Sequence, residues 1–80
     1  MNLQKNMIYL EDKLTEFRIA GQHPSYVGLS EEFHDTLTAE MKQENRVHEF
    51  FGVPVITMGG SIMPKDGVYI HPMTWSRSEV

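Results

Sequence analysis

The four histidines are the first residues to consider for chemistry, because imidazole titrates near neutral pH and binds metal ions. Their spacing is unlike that of a zinc site, since the chain has no His-Glu-x-x-His motif, no His-x-His pair and no cysteine. Glu44 and His48 are the only histidine–carboxylate pair spaced four residues apart. The sequence therefore predicts no metal site. The histidines are His23, His34, His48 and His71.

Nucleophilic catalysis needs a hydroxyl or thiol beside a base and an orienting group, and no local pattern in this chain suggests one. Ser25, Ser30 and Ser61 stand where turns and helix caps commonly use serine, and no Gly-x-Ser-x-Gly motif occurs. The Gly-Gly-Ser run at 59–61 lacks the Lys-Ser/Thr pair of a phosphate-binding loop. We therefore expect no catalytic residue and no cofactor, which favours a protein that is not an enzyme.

Methionine is frequent, with six in the chain, and its flexible side chain suits adaptable binding surfaces. Met58, Ile62 and Met63 fall in a segment with Gly-Gly and Asp-Gly at its ends, which is typical of a loop. Together with Trp75 they form the predicted partner-binding surface. The alternative is that these side chains fill a small core, and the pattern leaves both interpretations open.

Composition limits the classes of protein to which the chain can belong. Its 80 residues suffice for a single domain, residues 1–80, with a small core and no disulfide, so self-association is expected to supply stability. Seven Lys and Arg against eleven Asp and Glu give a net charge of −4 with no basic cluster, which argues against nucleic acid as a partner. No apolar run approaches the roughly 20 residues needed to cross a bilayer. We expect a cytoplasmic protein without a membrane partner.

The N-terminal segment, residues 1–20, carries the clearest periodic signal. Large apolar residues recur there every three or four positions, which predicts a helix with one apolar stripe. Gly21 is suited to end this helix, and Pro24 prevents its continuation. The stripe predicts either an ordinary core-facing helix or the seam of a homo-oligomer. The seam residues are Leu3, Met7, Leu10, Leu14 and Phe17.

Residues 24–71 read as a β-α-β-β module, and residues 72–80 as a tail. Residues 25–29 favour a short strand, after which Ser30 can cap a second helix from 31 to about 45 with Phe33, Leu37 and Met41 facing inward. Extension of that helix toward Phe51 is the alternative.

From Val47 onward the pattern alternates, which predicts one strand with Val47, Phe51, Val53 and Val55 on a single face. Residues 68–70 form the last predicted strand. The expected fold is α+β, in the order α-β-α-β-β, with two helices on a two- or three-stranded sheet. The first two strands should be parallel, and the last two should pair as an antiparallel hairpin.

The chain resembles small uncharacterised proteins of tailed bacteriophages over residues 24–71. The resemblance rests on the Pro-Ser-Tyr-Val-Gly-Leu-Ser run at 24–30, on Phe33 and Leu37 in an acidic helix, and on two further segments. These are Phe-Gly-Val-Pro-Val at 51–55 and Val-Tyr-Ile at 68–70. A similar Gly-Val-Pro-Val run occurs in hairpins of phage capsid proteins. The resemblance implies a phage or prophage origin and assigns no catalytic residue.

Three functional hypotheses follow from these observations. The first is a non-enzymatic assembly or accessory factor of a phage that binds proteins and works as a homo-oligomer through its first helix. The alternative is a phage-encoded inhibitor of a host enzyme or defence complex. The third is a small hydrolytic or metal-assisted enzyme, which would need a polar cleft or a bound metal.

Overall fold

The computed structural model describes residues 4–59 and 63–73, which form two helices and a four-stranded mixed sheet. The α+β fold class is therefore confirmed. The sheet has four strands, whereas the sequence predicts two or three. The elements in chain order are α1 (Lys5–Ile19), β1 (Pro24–Leu29), α2 (Glu31–Glu40), β2 (Glu49–Phe50), β3 (Val53–Thr57) and β4 (Val68–Pro72).

Helix α1 begins and ends on two different caps. At its start, the carboxylate of Glu40 at the end of α2 accepts hydrogen bonds from the N–H groups of Asn6 (3.2 Å) and Met7 (2.9 Å). At its end, Gly21 adopts a φ of 89° and donates its N–H to the Arg18 carbonyl at 2.9 Å, as expected of a glycine that terminates a helix. A carboxylate is favourable at a helix N-terminus, so Glu40 also ties the two helices together.

Helix α2 starts where the sequence predicts and ends earlier. Ser30 Oγ accepts a hydrogen bond from the Phe33 N–H at 3.1 Å, which confirms the predicted N-cap. The helix ends at Glu40, and the prediction that it continues to about residue 45 is wrong. Lys42 has a φ of 58° and Gln43 N–H bonds to the Thr38 carbonyl at 3.1 Å, which closes the helix in a left-handed turn. Glycine or asparagine usually occupies such a position. Because a lysine stands there, the local sequence does not indicate that the helix ends at Glu40.

Strand β1 lies inside the sheet, whose order is β2-β3-β1-β4. Val27 aligns with Val55 of β3 in parallel and with Ile70 of β4 in antiparallel orientation. The predicted parallel pair is thus confirmed, with α2 as its connection. The predicted hairpin of the last two strands is wrong, because β4 pairs with β1 on the side that β3 leaves free.

The segment predicted as one strand from Val47 is a hairpin. Phe51 and Gly52 have φ values of 51° and 80°, the positive pair of a two-residue type I′ turn between β2 and β3. The turn exposes 57% of Phe51 and buries Phe50. The prediction that Phe51 shares a face with Val53 is therefore wrong, since the turn interrupts the alternation.

One hydrophobic core cluster contains side chains from both helices and all four strands. Leu37, Val53 and Val55 are buried as predicted, while Phe33 is half-buried against the cluster. The cluster consists of Leu10, Leu14, Val27, Leu29, Leu37, Phe50, Val53, Val55 and Val68.

Candidate functional site

The two faces of the sheet differ in what covers them. Side chains alternate along a strand, and Val27 and Leu29 of β1 belong to the same core cluster as the buried residues of α1 and α2. Both helices therefore pack on that face, and among the described residues neither helix covers the opposite one. We call this opposite surface the open face. Its strand residues are Tyr26, Gly28, Glu49, Pro54, Ile56, Tyr69 and His71.

Three rings form a cluster on the open face. Tyr26 stacks on His71, with ring centroids 4.8 Å apart and planes 12° from parallel. Tyr69 Oη lies 2.9 Å from His71 Nδ1, at hydrogen-bond distance, and its ring is tilted by 58° to that of Tyr26 at 6.3 Å. The antiparallel pairing of β1 with β4 brings these rings together, since Tyr26 aligns with His71. Each of the three residues is half-buried, so the cluster remains accessible.

Met58 lies over Gly28 and completes a shallow cavity of about 290 Å³ with the three rings. A Cβ atom on Gly28 would collide with the Met58 sulfur, so the glycine provides the space that the methionine occupies. The strand positions of the open face carry no Lys or Arg, and their one charged residue is Glu49, which aligns with Pro54 from the edge strand β2. A surface of aromatic rings, a thioether and Ile56, which is 45% exposed, is suited to binding an apolar partner surface.

The charged contacts of the structure lie elsewhere and are structural in character. Asp66 accepts hydrogen bonds from Tyr9 Oη (2.6 Å), Lys13 Nζ (2.9 Å) and the Val68 N–H (3.1 Å). Partial burial raises the pKa of Asp66, but these hydrogen bonds lower it, and the net pKa is below the ordinary value. The hydrogen bond to Asp66 is the main reason that the pKa values of Tyr9 and Lys13 are raised. The cluster fastens α1 to the turn before β4.

A second polar cluster is centred on His34, which is 2% exposed on α2. His34 Nε2 lies 2.6 Å from the Val47 carbonyl oxygen, and Nδ1 lies 2.7 Å from Thr57 Oγ1. Since a carbonyl oxygen can only accept, Nε2 carries the hydrogen, and in the neutral ring Nδ1 accepts from the Thr57 hydroxyl. Arg46 donates to the same hydroxyl at 3.2 Å and forms an ion pair with Asp35 at 2.8 Å. These contacts hold the loop after α2 against the sheet.

The structure distributes the predicted partner-binding residues over different surfaces. Met58 lies on the open face, whereas Met63 lines a cavity beside the start of α2 with Phe33. The prediction that these two methionines share one surface is therefore wrong. Ile62 and Trp75 lie outside the described residues.

The predicted seam residues are likewise divided. Leu10 and Leu14 are 0% and 1% exposed within a single chain, because α1 packs them on its own sheet. These two residues therefore cannot form a seam between folded copies, and this part of the prediction is corrected. Met7 and Phe17 are half-buried, and Leu3 lies outside the described residues. That the chain self-associates stays a prediction.

Sequence reasoning missed the ring cluster, although a signal for it was present. The predicted strands at 25–29 and 68–70 each alternate an aromatic residue with aliphatic ones, so Tyr26 and Tyr69 had to lie opposite the valines of the core. What the sequence could not show is that the two strands are neighbours. His71 falls just beyond the predicted strand, and its role as the stacking partner of Tyr26 appears only in the structure.

Within residues 4–59 and 63–73, no three His, Asp or Glu side chains converge as a metal-binding group. In the same part of the chain, neither helix has the length and hydropathy required to span a bilayer. Comparisons of the chain with protein-family models, with curated proteins and with solved structures find no match.

Proposed function

We propose that the chain is a non-enzymatic binding protein that recognises another protein through the open face. The observation that carries this proposal is the ring cluster of Tyr26, Tyr69 and His71, together with Met58 and Ile56, on a sheet face that the helices leave free. Aromatic residues and methionine are enriched at the centres of protein interfaces, where charged residues are depleted. The centre of the open face has that composition, and its one charged strand residue, Glu49, lies at the margin on the edge strand β2.

The charge distribution supports a protein partner over a nucleic acid. Stacking of bases on aromatic rings is accompanied by Lys and Arg that contact the phosphates, and the strand positions of the open face provide neither. The whole chain carries a net charge of −4. A polyanion would therefore be repelled, whereas an apolar or weakly basic protein surface would not.

The resemblance to small phage proteins over residues 24–71 supports a role for this binding activity in phage assembly or as an accessory factor, with the protein working as a homo-oligomer. The partner is then expected among virion components. A partner among host enzymes or defence complexes would indicate the inhibitor role instead.

A matched pair of variants tests the proposal. Ile56→Glu places a carboxylate on the open face, and Ile8→Glu places one on α1 at a residue of similar exposure, 48% against 45%. Both proteins should keep the wild-type fold, which circular dichroism and thermal melting will check. Affinity capture from infected cells with wild-type protein identifies the partner, and titration of that purified partner then compares the three proteins.

Ile56→Glu is expected to weaken binding by roughly tenfold or more, because an unpaired carboxylate must be desolvated at the interface. Ile8→Glu should bind as wild type does. Equal binding by all three proteins, or loss of binding in Ile8→Glu alone, would refute the open face as the binding surface.

A further inference from the structure

Strand β4 is an edge of the sheet, and the hydrogen bonds at its two ends determine which of its backbone groups face outward. Ser30 N–H bonds to the Gly67 carbonyl at 2.9 Å, and Met73 N–H bonds to the His23 carbonyl at 2.7 Å. Backbone groups of an antiparallel strand alternate between its two sides. The odd-numbered residues of β4 therefore face β1, and the even-numbered ones face away from the sheet, namely Val68, Ile70 and Pro72.

Two of these outward residues are blocked as hydrogen-bond donors. The Val68 N–H already donates to Asp66 Oδ1 at 3.1 Å, and Pro72 has no N–H. Ile70 is the outward residue of β4 that offers both an N–H and a carbonyl, and the Val68 carbonyl lies two residues before it. Blocking of this kind is how edge strands avoid indiscriminate pairing. On the described part of this edge, the Ile70 N–H and the Val68 and Ile70 carbonyls remain for one partner strand.

A groove of about 340 Å³ runs beside this edge, between β4 and the second half of α1. Its apolar lining comes from Phe17, Val68 and Ile70, and Lys13 and Glu16 supply opposite charges. The half-buried Phe17 belongs to the stripe that the sequence predicts as a seam. A strand added to β4 would cover this groove and bury the exposed part of Phe17.

We propose that a second copy of the chain occupies this edge, with the two β4 strands antiparallel about a two-fold axis at Tyr69. In that register Ile70 of each copy lies opposite Val68 of the other, so the Ile70 N–H of each copy donates to the Val68 carbonyl of the other. These two bonds leave the Asp66 contact intact, so the Val68 N–H does not bond to the Ile70 carbonyl opposite it. The two Tyr69 side chains then form a cross-strand pair at a non-hydrogen-bonded position, where side chains are closest.

Other two-fold registers bring Pro72 into the ladder. An axis at Ile70 sets Val68 opposite Pro72 of the second copy, and an axis at His71 sets Ile70 opposite Pro72. At such a hydrogen-bonded position the proline ring stands where an N–H would point at the partner strand, so it holds that strand away. An axis at Tyr69 keeps Pro72 outside the paired residues.

The groove favours a second copy over an unrelated strand. A two-fold axis sets the groove of each copy beside that of the other, where Lys13 of one copy and Glu16 of the other are complementary in charge. The product is a continuous eight-stranded sheet with both open faces on one side. A small domain without disulfides is also stabilised by such association through mass action. The proposal does not rest on what binds the open face.

Amide hydrogen exchange of the wild-type protein, measured by NMR at low and high concentration, tests the pairing of the two β4 edges directly. The Ile70 amide should exchange rapidly in dilute solution and become protected as concentration rises, in step with dimer formation seen by sedimentation. The Tyr69 and His71 amides face β1 and serve as internal controls, protected at both concentrations. A monomer at all concentrations would overturn the proposal. So would a dimer in which the Ile70 amide stays unprotected.

A second pair of variants tests the groove. Phe17→Glu should raise the dimer dissociation constant by roughly tenfold or more, whereas Ile19→Glu, at a position that is 80% exposed on the same helix, should leave it unchanged. Unchanged dimerisation of a folded Phe17→Glu protein would contradict the groove as part of the interface. If Phe17→Glu does not fold, the exchange of the wild-type Ile70 amide decides the matter. Loss of partner binding in Ile56→Glu with intact dimerisation separates this proposal from the proposed function.

Discussion

Replacement of the buried His34 by leucine is the perturbation whose cost the structure allows us to derive most fully. Leucine has a comparable volume, so the core stays filled, but both ring hydrogen bonds are lost. The Val47 carbonyl is then left without the 2.6 Å partner that it has in the core, at a cost of about 1–3 kcal/mol for a buried acceptor. Loss of the bond between His34 and the Thr57 hydroxyl costs less free energy, because this hydroxyl is exposed to water and keeps its bond from Arg46.

The sum for His34→Leu is a loss of about 2–3 kcal/mol in the free energy of unfolding. For a domain of this size such a loss lowers the Tm by roughly 10–20 °C. His34→Gln is the informative companion, since its amide can still donate to the Val47 carbonyl while the contact with Thr57 is weakened. We expect it to cost about 1 kcal/mol, near the value of a single hydrogen bond.

Urea unfolding followed by circular dichroism gives both free energies, provided that the m-value is unchanged. Thr57→Val is a control that removes only the exposed partner and should cost less than His34→Leu. The reasoning fails if His34→Leu is as stable as wild type, which would mean that the loop after α2 does not depend on these bonds. It also fails if Thr57→Val costs as much as His34→Leu.

Three further predictions concern other contacts. Ser30→Ala should lower the free energy of unfolding by about 1 kcal/mol through loss of the α2 cap, and Ser30→Gly by only a few tenths, as urea unfolding will show. Because the pKa of Asp66 is lower in the folded chain, its contribution is present above the unfolded pKa of about 3.9 and is lost as pH falls through the folded pKa. The stability difference between wild type and Asp66→Asn should therefore shrink as unfolding is measured at pH values below about 4. Gly28→Ala should destabilise the wild type by displacing Met58 and should cost less in a Met58→Ala background, which a double-mutant cycle measures.

The sequence by itself determined the elements whose signals are local. The apolar stripe of α1, the serine cap of α2 and the strands at both ends of the module are encoded within a few residues of where they act. Gly21 ends α1 as predicted, since only its own conformation is involved. The α+β class follows from these elements, because an apolar stripe and alternating strands must cover each other.

Only the tertiary structure decided how those elements are joined and what they expose. The pairing of β4 with β1, the cap that Glu40 provides to α1 and the burial of His34 all connect residues distant in the chain. The positive φ values of Lys42 and Phe51 run against the preferences of those residue types, so neither residue signals its turn in the sequence. The open face is the result, because Tyr26 and His71 become neighbours only when their strands pair. Contacts of this kind depend on the closure of the whole chain around one core, which no short stretch of sequence specifies.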